Sequence, residues 1–261
     1  MKSERDIALE KQQAKLTKKF HKACADYGLI ADGDHILIGL SGGKDSLALT
    51  ELLGRRAKIY KPRFKVTALH VRVKERDYRT DISYLERFCE EAGVPLVVRD
   101  VEITNEGVNE LKNERVAKAN PCFLCSWYRR KTLFNVAQEL GCNKIAFGHH
   151  RDDVIETMLM NLIYQGTFAT MPPILPLDKM PIQIIRPLCL IDEADLVTYA
   201  QMRKYEKQVS LCPFEHVSSR EKVKGLLREI KALNPEAVDS MYGALTNVKA
   251  EYLPPVKLLN C

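Results

Sequence analysis

Apolar residues along the chain occur either in short unbroken runs or in longer stretches with a helical repeat. The short runs are rich in branched side chains and predict buried strands at 36–40, 64–71, 96–103, 144–148 and 182–185. The periodic stretches between them predict helices at 47–53, 79–92, 126–140, 154–165 and 192–204. Because strands and helices alternate, the sequence predicts an α/β fold built on a doubly wound parallel sheet.

Helices are also predicted at both ends of the chain. Ser3 and Asp6 resemble a capping pair for a helix over 3–27, and two further helices are predicted at 218–233 and 235–248. We therefore expect an N-terminal helical extension (1–28), an α/β domain (29–190) and a small helical C-terminal region (191–261). The outer face of the first helix carries lysines that either face solvent or meet RNA phosphates: Lys11, Lys15, Lys18, Lys19 and Lys22.

Composition narrows the class of protein. The 261 residues are 46% hydrophobic and carry a formal charge of +6, which permits a nucleic-acid partner without requiring one. No apolar run approaches the roughly 20 residues that span a bilayer, and the N-terminus has no signal-peptide core, so we expect a cytoplasmic protein with no membrane partner. Its eight cysteines then predict metal or redox sites before disulfides.

A glycine turn between the first strand and the next helix carries the first candidate chemistry. Glycines let phosphate oxygens approach backbone N–H groups, and a helix N-terminus and a lysine add positive potential. The spacing matches neither a Walker loop nor a dinucleotide fingerprint. It resembles the PP-loop of the ATP pyrophosphatase superfamily, and the candidate nucleotide contacts are Leu40, Ser41, Gly42, Gly43, Lys44, Asp45 and Ser46.

Cys122 and Cys125 form a second candidate site. Two thiolates at this spacing can hold one metal or one iron–sulfur cluster, and the dipole of the helix that follows would lower their pKa values. Cys212, at a corner before Pro213, is the remaining cysteine in a comparable setting. Three cysteines suit a 4Fe-4S cluster with one open iron. A zinc site completed by His216 or Glu215, or a redox pair, stays open, whereas core positions are predicted for Cys24, Cys89, Cys142 and Cys189.

Polar residues follow two other strands at the edge where ligands of parallel sheets collect. His70 ends the second strand, and Gly148 and His149 end the fourth. Asp152 and Asp153 either cap the next helix or serve a magnesium site in nucleotidyl transfer. Arg129 and Arg130, close to the cysteines, are either helix surface or a means of neutralising charge as pyrophosphate leaves.

The order of these motifs resembles the tRNA 2-thiocytidine synthetases over about residues 15–248. Met171-Pro172-Pro173 and Ile185-Arg186-Pro187-Leu188 contribute to the likeness. The resemblance implies that ATP adenylates the C2 oxygen of an anticodon-loop cytidine and that sulfur carried by a 4Fe-4S cluster displaces AMP. It implies ATP contacts at 41–46, a basic catalytic Arg129, an ATP and magnesium site at Asp152 and Asp153, and a cluster on Cys122, Cys125 and Cys212. Its expected partners are tRNA, a sulfur donor such as a cysteine desulfurase, and a second copy in a homodimer.

The chain departs from that family's pattern at two positions. Glu215 stands where the family often has a second cysteine after Cys212, and His70 stands where an acidic or amide residue is expected. Two other functions therefore remain. One is a PP-loop ligase that acts on another RNA base or uses an amine nucleophile, and the other is a metal-containing RNA-binding protein without turnover.

Overall fold

The computed structural model describes residues 3–73, 78–79, 81–102, 121–206, 209–210 and 219–253, with the backbone alone at 78–79, 121–123, 209–210 and 219. Residue 103 of the strand predicted at 96–103 and residue 218 of the helix predicted at 218–233 lie outside these residues. Cys212, Glu215 and His216 lie outside them as well. None of the described helices is long and apolar enough to cross a membrane.

Six strands form the main sheet, and its order confirms the predicted doubly wound architecture. The strands are β1 (His35–Gly39), β2 (Lys65–Val73), β4 (Leu96–Val101), β5 (Lys144–Ala146), β6 (Ile174–Pro176) and β7 (Gln183–Ile185). They are ordered β4-β2-β1-β5-β7-β6, and every neighbouring pair is parallel except β6 with β7. A separate antiparallel pair joins β3 (Tyr78–Arg79) to β8 (Val209–Ser210).

Helices cover both faces of the sheet. They are α1 (Glu4–Asp26), α2 (Lys44–Ala57), α3 (Ile82–Ala92), α4 (Pro121–Glu139), α5 (Arg151–Met160), α6 (Glu193–Arg203), α7 (Ser219–Leu233) and α8 (Ala237–Ala244). The larger core unites α1, α2, α3 and α6 with one face, and α4 covers the other through Leu133 and Val136. A third cluster joins α5 to α7 and α8 through Ile155, Met158, Leu227 and Val238.

Local signals placed several boundaries well. Ser3 and Asp6 form the predicted capping box of α1, whose buried stripe is Leu16, Phe20 and Ala23. Gly93 ends α3 in the left-handed conformation that a glycine adopts without strain. Three of the predicted core cysteines, Cys89, Cys142 and Cys189, are buried, and Cys24 packs against the same core.

The structure differs from the sequence-based expectation at two places. The prolines at 172, 173 and 176 predict a loop over residues 168–180, but this stretch contains the edge strand β6. Pro176 is tolerated there because an edge strand leaves one row of N–H groups unpaired. Helix α4 begins at Pro121 rather than at residue 126, because proline suits the first position of a helix, where the missing N–H is not needed. Cys122 and Cys125 therefore lie within the first turns of the helix and not before it.

Lysines of α1 are mostly committed to the protein itself. Lys15 lies 2.5 Å from Asp195 of α6, and Lys19 pairs with Asp192 and Asp195. Lys22 pairs with Asp26 one turn away. Two of the five predicted outward lysines therefore fasten α1 to α6, where the α1 side chains pack most closely. Lys19 is partly buried by these pairs, whereas the Lys15 side chain stays exposed to solvent while it pairs with Asp195.

Candidate active site

The PP-loop lies between the end of β1 and the start of α2. Gly42 has φ +86°, in the left-handed region that favours glycine, and Gly43 is the residue before the helix. Gly43 N–H donates to Ser41 Oγ at 3.3 Å, and Ser46 Oγ donates to the Gly43 carbonyl at 2.9 Å. Because Gly43 has no side chain to cap α2, the first N–H groups of the helix are left for a ligand.

Gly148 is packed against the backbone of this loop. A Cβ atom at position 148 would lie 3.0 Å from the Asp45 carbonyl carbon and 3.1 Å from Ser46 N. The two segments meet because β5 is the parallel neighbour of β1, with Ile38 opposite Ala146. The PP-loop and the turn after β5 therefore form one rigid wall.

Replacing Gly148 by alanine tests this packing. We expect the added methyl group to push the Asp45–Ser46 peptide aside and to weaken ATP binding at least tenfold. The same overpacking should lower the free energy of unfolding by about 1–3 kcal/mol. Isothermal titration with a non-hydrolysable ATP analogue measures the effect. Gly141→Ala is not a matched control, since Gly141 has φ +66°; Gly243→Ala, in open space on α8, is. Wild-type affinity in Gly148→Ala would contradict the prediction.

A cavity of about 510 Å³ opens beside the PP-loop. One wall is apolar and is formed by Leu69, Val71, Leu133 and Phe147, and the other walls are polar. Nine of the predicted site residues line it: Leu40, Ser41, Gly43, Asp45, Ser46, Arg129, Gly148, His149 and Asp153. An apolar wall facing a phosphate-binding loop is the arrangement that a nucleotide requires, with the base on the wall and the phosphates at the loop.

Lys44 and Asp45 begin α2 side by side. Lys44 Nζ lies 3.1 Å from Asp45 Oδ2 and 3.4 Å from Glu193 Oε1 at the start of α6. Burial raises the pKa of the Asp45 carboxyl, and the positive charge of Lys44 opposes that shift. Asp45 Oδ1 is buried without a hydrogen-bond partner, so this carboxylate has an oxygen available to a cation held against the loop.

The two adjacent aspartates of α5 point to different places. Asp153 lines the cavity, and its Oδ1 lies 3.2 Å from Arg220 of α7. Asp152 is buried behind it, where Oδ2 accepts the Glu193 N–H at 2.8 Å and Oδ1 pairs with Lys231. Burial alone would raise the pKa of Asp152, but these hydrogen bonds hold it below its usual value. Asp152 thus fastens α6 and α7, whereas Asp153 faces the cavity.

Two histidines precede these aspartates. His150 caps the N-terminus of α5. Its Nδ1 accepts the Asp153 N–H at 3.3 Å, and the His150 N–H donates to Asp153 Oδ2 at 3.0 Å. His149 lines the cavity, and burial lowers its pKa to about 4. Its Nδ1 is buried without a hydrogen-bond partner. At neutral pH, His149 therefore offers an uncharged imidazole to a ligand.

His70 lies beneath the loop rather than among the residues that line the cavity. Its Nδ1 donates to the Leu40 carbonyl at 2.8 Å, and burial lowers its pKa despite that bond. A neutral ring with the proton on Nδ1 supports the loop from below. Its predicted contact with ATP stays a prediction.

Helix α4 carries the candidate cluster residues and part of the cavity wall. Ser126, Arg129 and Arg130 line the cavity, and Cys125 is buried next to them in the chain. Cys122 precedes Cys125 by three residues, so the two share a helix face. The side chain of Cys122 and the whole of Cys212 lie outside the described residues. Within those residues, no three histidine, cysteine or carboxylate side chains gather as a metal site.

Helix α7 follows the segment that contains Cys212 and is joined to the site by charge pairs. Besides the Asp153 pair, Arg220 lies 3.2 Å from Glu156, and Lys224 lies 3.0 Å from Glu193. Glu193, Arg220 and Lys224 are not predicted as site residues from the sequence. No local pattern marks them, because their partners are between 31 and 149 residues away in the chain.

Comparisons with known proteins agree with this geometry. A family model described as a PP-loop domain matches residues 9–207. The tRNA-cytidine(32) 2-sulfurtransferase of Chromohalobacter salexigens is 33% identical over 95% of this chain and 85% of the relative. The protein of the same name from Burkholderia multivorans is 35% identical over 92% of this chain and 71% of the relative.

A solved structure shows the same fold. The U34-tRNA thiolase NcsA from Methanococcus maripaludis, determined with its [4Fe-4S] cluster, superposes with a TM-score of 0.71 and 26% sequence identity. The match covers 96% of this chain and 82% of NcsA. The stretch matched by the family model contains the PP-loop and all the residues that line the cavity. The chain therefore belongs to the PP-loop ATP pyrophosphatase superfamily and, within it, to the family of the tRNA 2-thiocytidine synthetases.

Proposed function

We propose that the protein is an ATP-dependent tRNA sulfurtransferase that converts an anticodon-loop cytidine to 2-thiocytidine. One observation carries the proposal: the PP-loop and the helix that bears Cys125 line the same cavity, with Ser41 and Asp45 on one side and Ser126 and Arg129 on the other. An activated oxygen and a sulfur source can therefore meet there. The relatives named tRNA-cytidine(32) 2-sulfurtransferase support cytidine as the target.

In the first half-reaction, the C2 oxygen of cytidine bonds to the α phosphorus of ATP, and the bond to the bridging oxygen breaks to release pyrophosphate. The loop 41–46 and the start of α2 hold the phosphates through N–H groups and through Lys44. Asp45 and Asp153, which both line the cavity, would hold Mg²⁺, and the orphaned Asp45 Oδ1 fits that role. Arg129 neutralises the negative charge that develops on the leaving pyrophosphate.

In the second half-reaction, sulfur at the oxidation level of sulfide bonds to C2, the C2–O bond breaks and AMP leaves with that oxygen. A 4Fe-4S cluster supplies this sulfur when bound, and Cys122, Cys125 and Cys212 would hold it. Two features fit such a cluster: the shared helix face of the first two cysteines and the burial of Cys125 beside the cavity. Three cysteine ligands would leave one iron without a protein thiolate and able to hold an exogenous sulfur ligand.

We also propose where the protein acts and which molecules it works with. The protein would act in the cytoplasm on tRNA, receive sulfur from a donor such as a cysteine desulfurase, and work as a homodimer. His149 is uncharged at neutral pH, so it would contact the nucleotide or the entering base without adding a second positive charge beside Arg129.

The test combines tRNA analysis in cells with an assay of the two half-reactions. We expect Cys125→Ser to abolish 2-thiocytidine in a deletion strain, as measured by mass spectrometry of tRNA nucleosides. The purified variant should still form AMP and pyrophosphate with ATP and tRNA under anaerobic conditions, because adenylation precedes sulfur transfer. Cys142→Ala is the control and should keep the modification, because Cys142 is a buried core cysteine that does not line the cavity. Normal 2-thiocytidine in Cys125→Ser would refute the proposal.

A further inference from the structure

The connection between α2 and β2 concentrates positive charge far from the cavity. Residues 55–65, called the basic turn below, contain six cations and no carboxylate. The cations are Arg55, Arg56, Lys58, Lys61, Arg63 and Lys65. Arg55 and Arg56 lie in the last turn of α2, where a cation also stabilises the helix dipole. The other four lie beyond the helix, so the dipole does not account for them.

Most of this charge is not neutralised by the protein. Arg55 pairs with the buried Glu51, and the Asp32 carboxylate accepts the Arg63 backbone N–H at 2.6 Å. Within the described part of the chain, no carboxylate lies at ion-pair distance from the side-chain charges of the other five cations, Arg56, Lys58, Lys61, Arg63 and Lys65. Elsewhere the pattern is the opposite, since many of the cations on α1, α5 and α7 are paired with acids. The basic turn is therefore a patch of unbalanced positive potential.

An exposed aromatic ring lies within the patch. The Tyr60 side chain is 68% exposed, and the Arg63 guanidinium carbon lies 4.4 Å from the centre of its ring. Arg56 Nη2 donates to the Lys61 carbonyl at 2.9 Å, which holds the turn in place. Cations around an accessible aromatic ring form a surface suited to single-stranded or looped RNA, because phosphates meet the cations and a base can stack on the ring.

The basic turn is too far from the cavity to contact the same nucleotide. Helix α2 has 14 residues and runs from the PP-loop to the turn, which places the two ends about 21 Å apart. ATP in the cavity does not reach that far, but a folded RNA does. A surface of this charge at this distance therefore fits the substrate of the proposed reaction and not its cofactor.

We propose that the basic turn is a second contact surface for tRNA, which binds backbone phosphates about 21 Å from the base that enters the cavity. This inference rests on the proposed function for the identity of the RNA. Its role is to supply affinity and orientation, since phosphate contacts position a nucleic acid while contacts to the base select it. Chemistry at the PP-loop does not depend on it.

The test removes three charges from the basic turn and compares the loss with the same change elsewhere. The variant carries Lys58→Gln, Lys61→Gln and Lys65→Gln, and the matched control carries Lys179→Gln, Lys222→Gln and Lys249→Gln, which are also exposed. The affinity for full-length tRNA is measured from 50 to 300 mM salt. We expect the slope of log K against log salt to become about 2 units shallower in the variant, at about 0.7 per phosphate contact, and Kd to weaken about tenfold.

Three further readouts separate the explanations. The variant should form AMP at the wild-type rate on a short anticodon stem-loop that cannot reach the turn, and the control should bind tRNA within twofold of wild type. An unchanged slope and Kd in the variant, while wild type binds tRNA, would overturn the inference and leave the proposed function intact. Failure of wild type to bind tRNA would overturn both. Loss of binding to phosphatidylglycerol vesicles with unchanged tRNA affinity would assign the patch to a membrane and overturn the inference.

Discussion

Replacing Lys44 by methionine is expected to lower kcat/KM for AMP formation about 10²- to 10³-fold, the size of effect seen when one charge-stabilising donor is lost. The protein should remain folded. A lysine at the N-terminus of a helix is repelled by the positive end of the helix dipole, so its removal does not weaken the helix. Its pairs with Asp45 and Glu193 are partly exposed and are each worth about 1 kcal/mol or less. Lys44→Met should therefore lower the rate of AMP release while the midpoint of thermal unfolding changes little.

Lys224→Met is the matched control for Lys44→Met. Lys224 pairs with the same oxygen of Glu193 at 3.0 Å but belongs to α7 and not to the PP-loop. The two variants therefore remove equal charge from one carboxylate. If Lys224→Met lost as much AMP formation as Lys44→Met, the effect would come from Glu193 and not from contact between Lys44 and phosphate.

The largest effect on stability is expected at the opposite edge of the sheet. Lys144 Nζ is buried and lies 2.7 Å from Asp34 Oδ2 and 3.0 Å from the Leu29 carbonyl. Asp34 also accepts the Ala31 N–H at 2.6 Å and the Asn143 amide at 2.7 Å. Lys144→Met leaves that carboxylate buried without its counter-charge, and we expect the free energy of unfolding to fall by about 3–5 kcal/mol. Urea unfolding followed by circular dichroism measures the change.

Arg99→Met provides the comparison for Lys144→Met. Arg99 also lies in a strand, but its pair with Glu139 at 3.4 Å is exposed, so its loss should change the unfolding free energy by less than about 1 kcal/mol. Equal losses in the two variants would contradict the assignment of a buried ion pair at Lys144.

Features with a local cause were predictable from the sequence. The PP-loop, the strand before it and the helix after it were placed correctly, because glycine freedom, apolar runs and helix periodicity act over a few residues. The same holds for the capping box at Ser3 and the stop at Gly93. The doubly wound sheet followed from the alternation of such local signals, and the structure confirmed it.

Features that depend on direction or on distant partners were not predictable. Asp152 and Asp153 were treated alike because they are adjacent, yet successive residues on a helix point about 100° apart, so that one faces the cavity and the other faces α6 and α7. Glu193 and Arg220 reach the site only because the chain folds back across it. A sequence shows the charge of such residues but not the partner that each will meet.

The edge strand β6 has a consequence for how the protein avoids unwanted association. It is three residues long, pairs on one side with β7 and includes Pro176, which has no N–H to offer an incoming strand. A strand from another molecule would find too short a row of donors to extend the sheet, so growth of an intermolecular sheet is opposed at this edge. Pro176 therefore has two effects. In the sequence it argues against a strand, and in the structure it opposes pairing of β6 with a strand from another molecule.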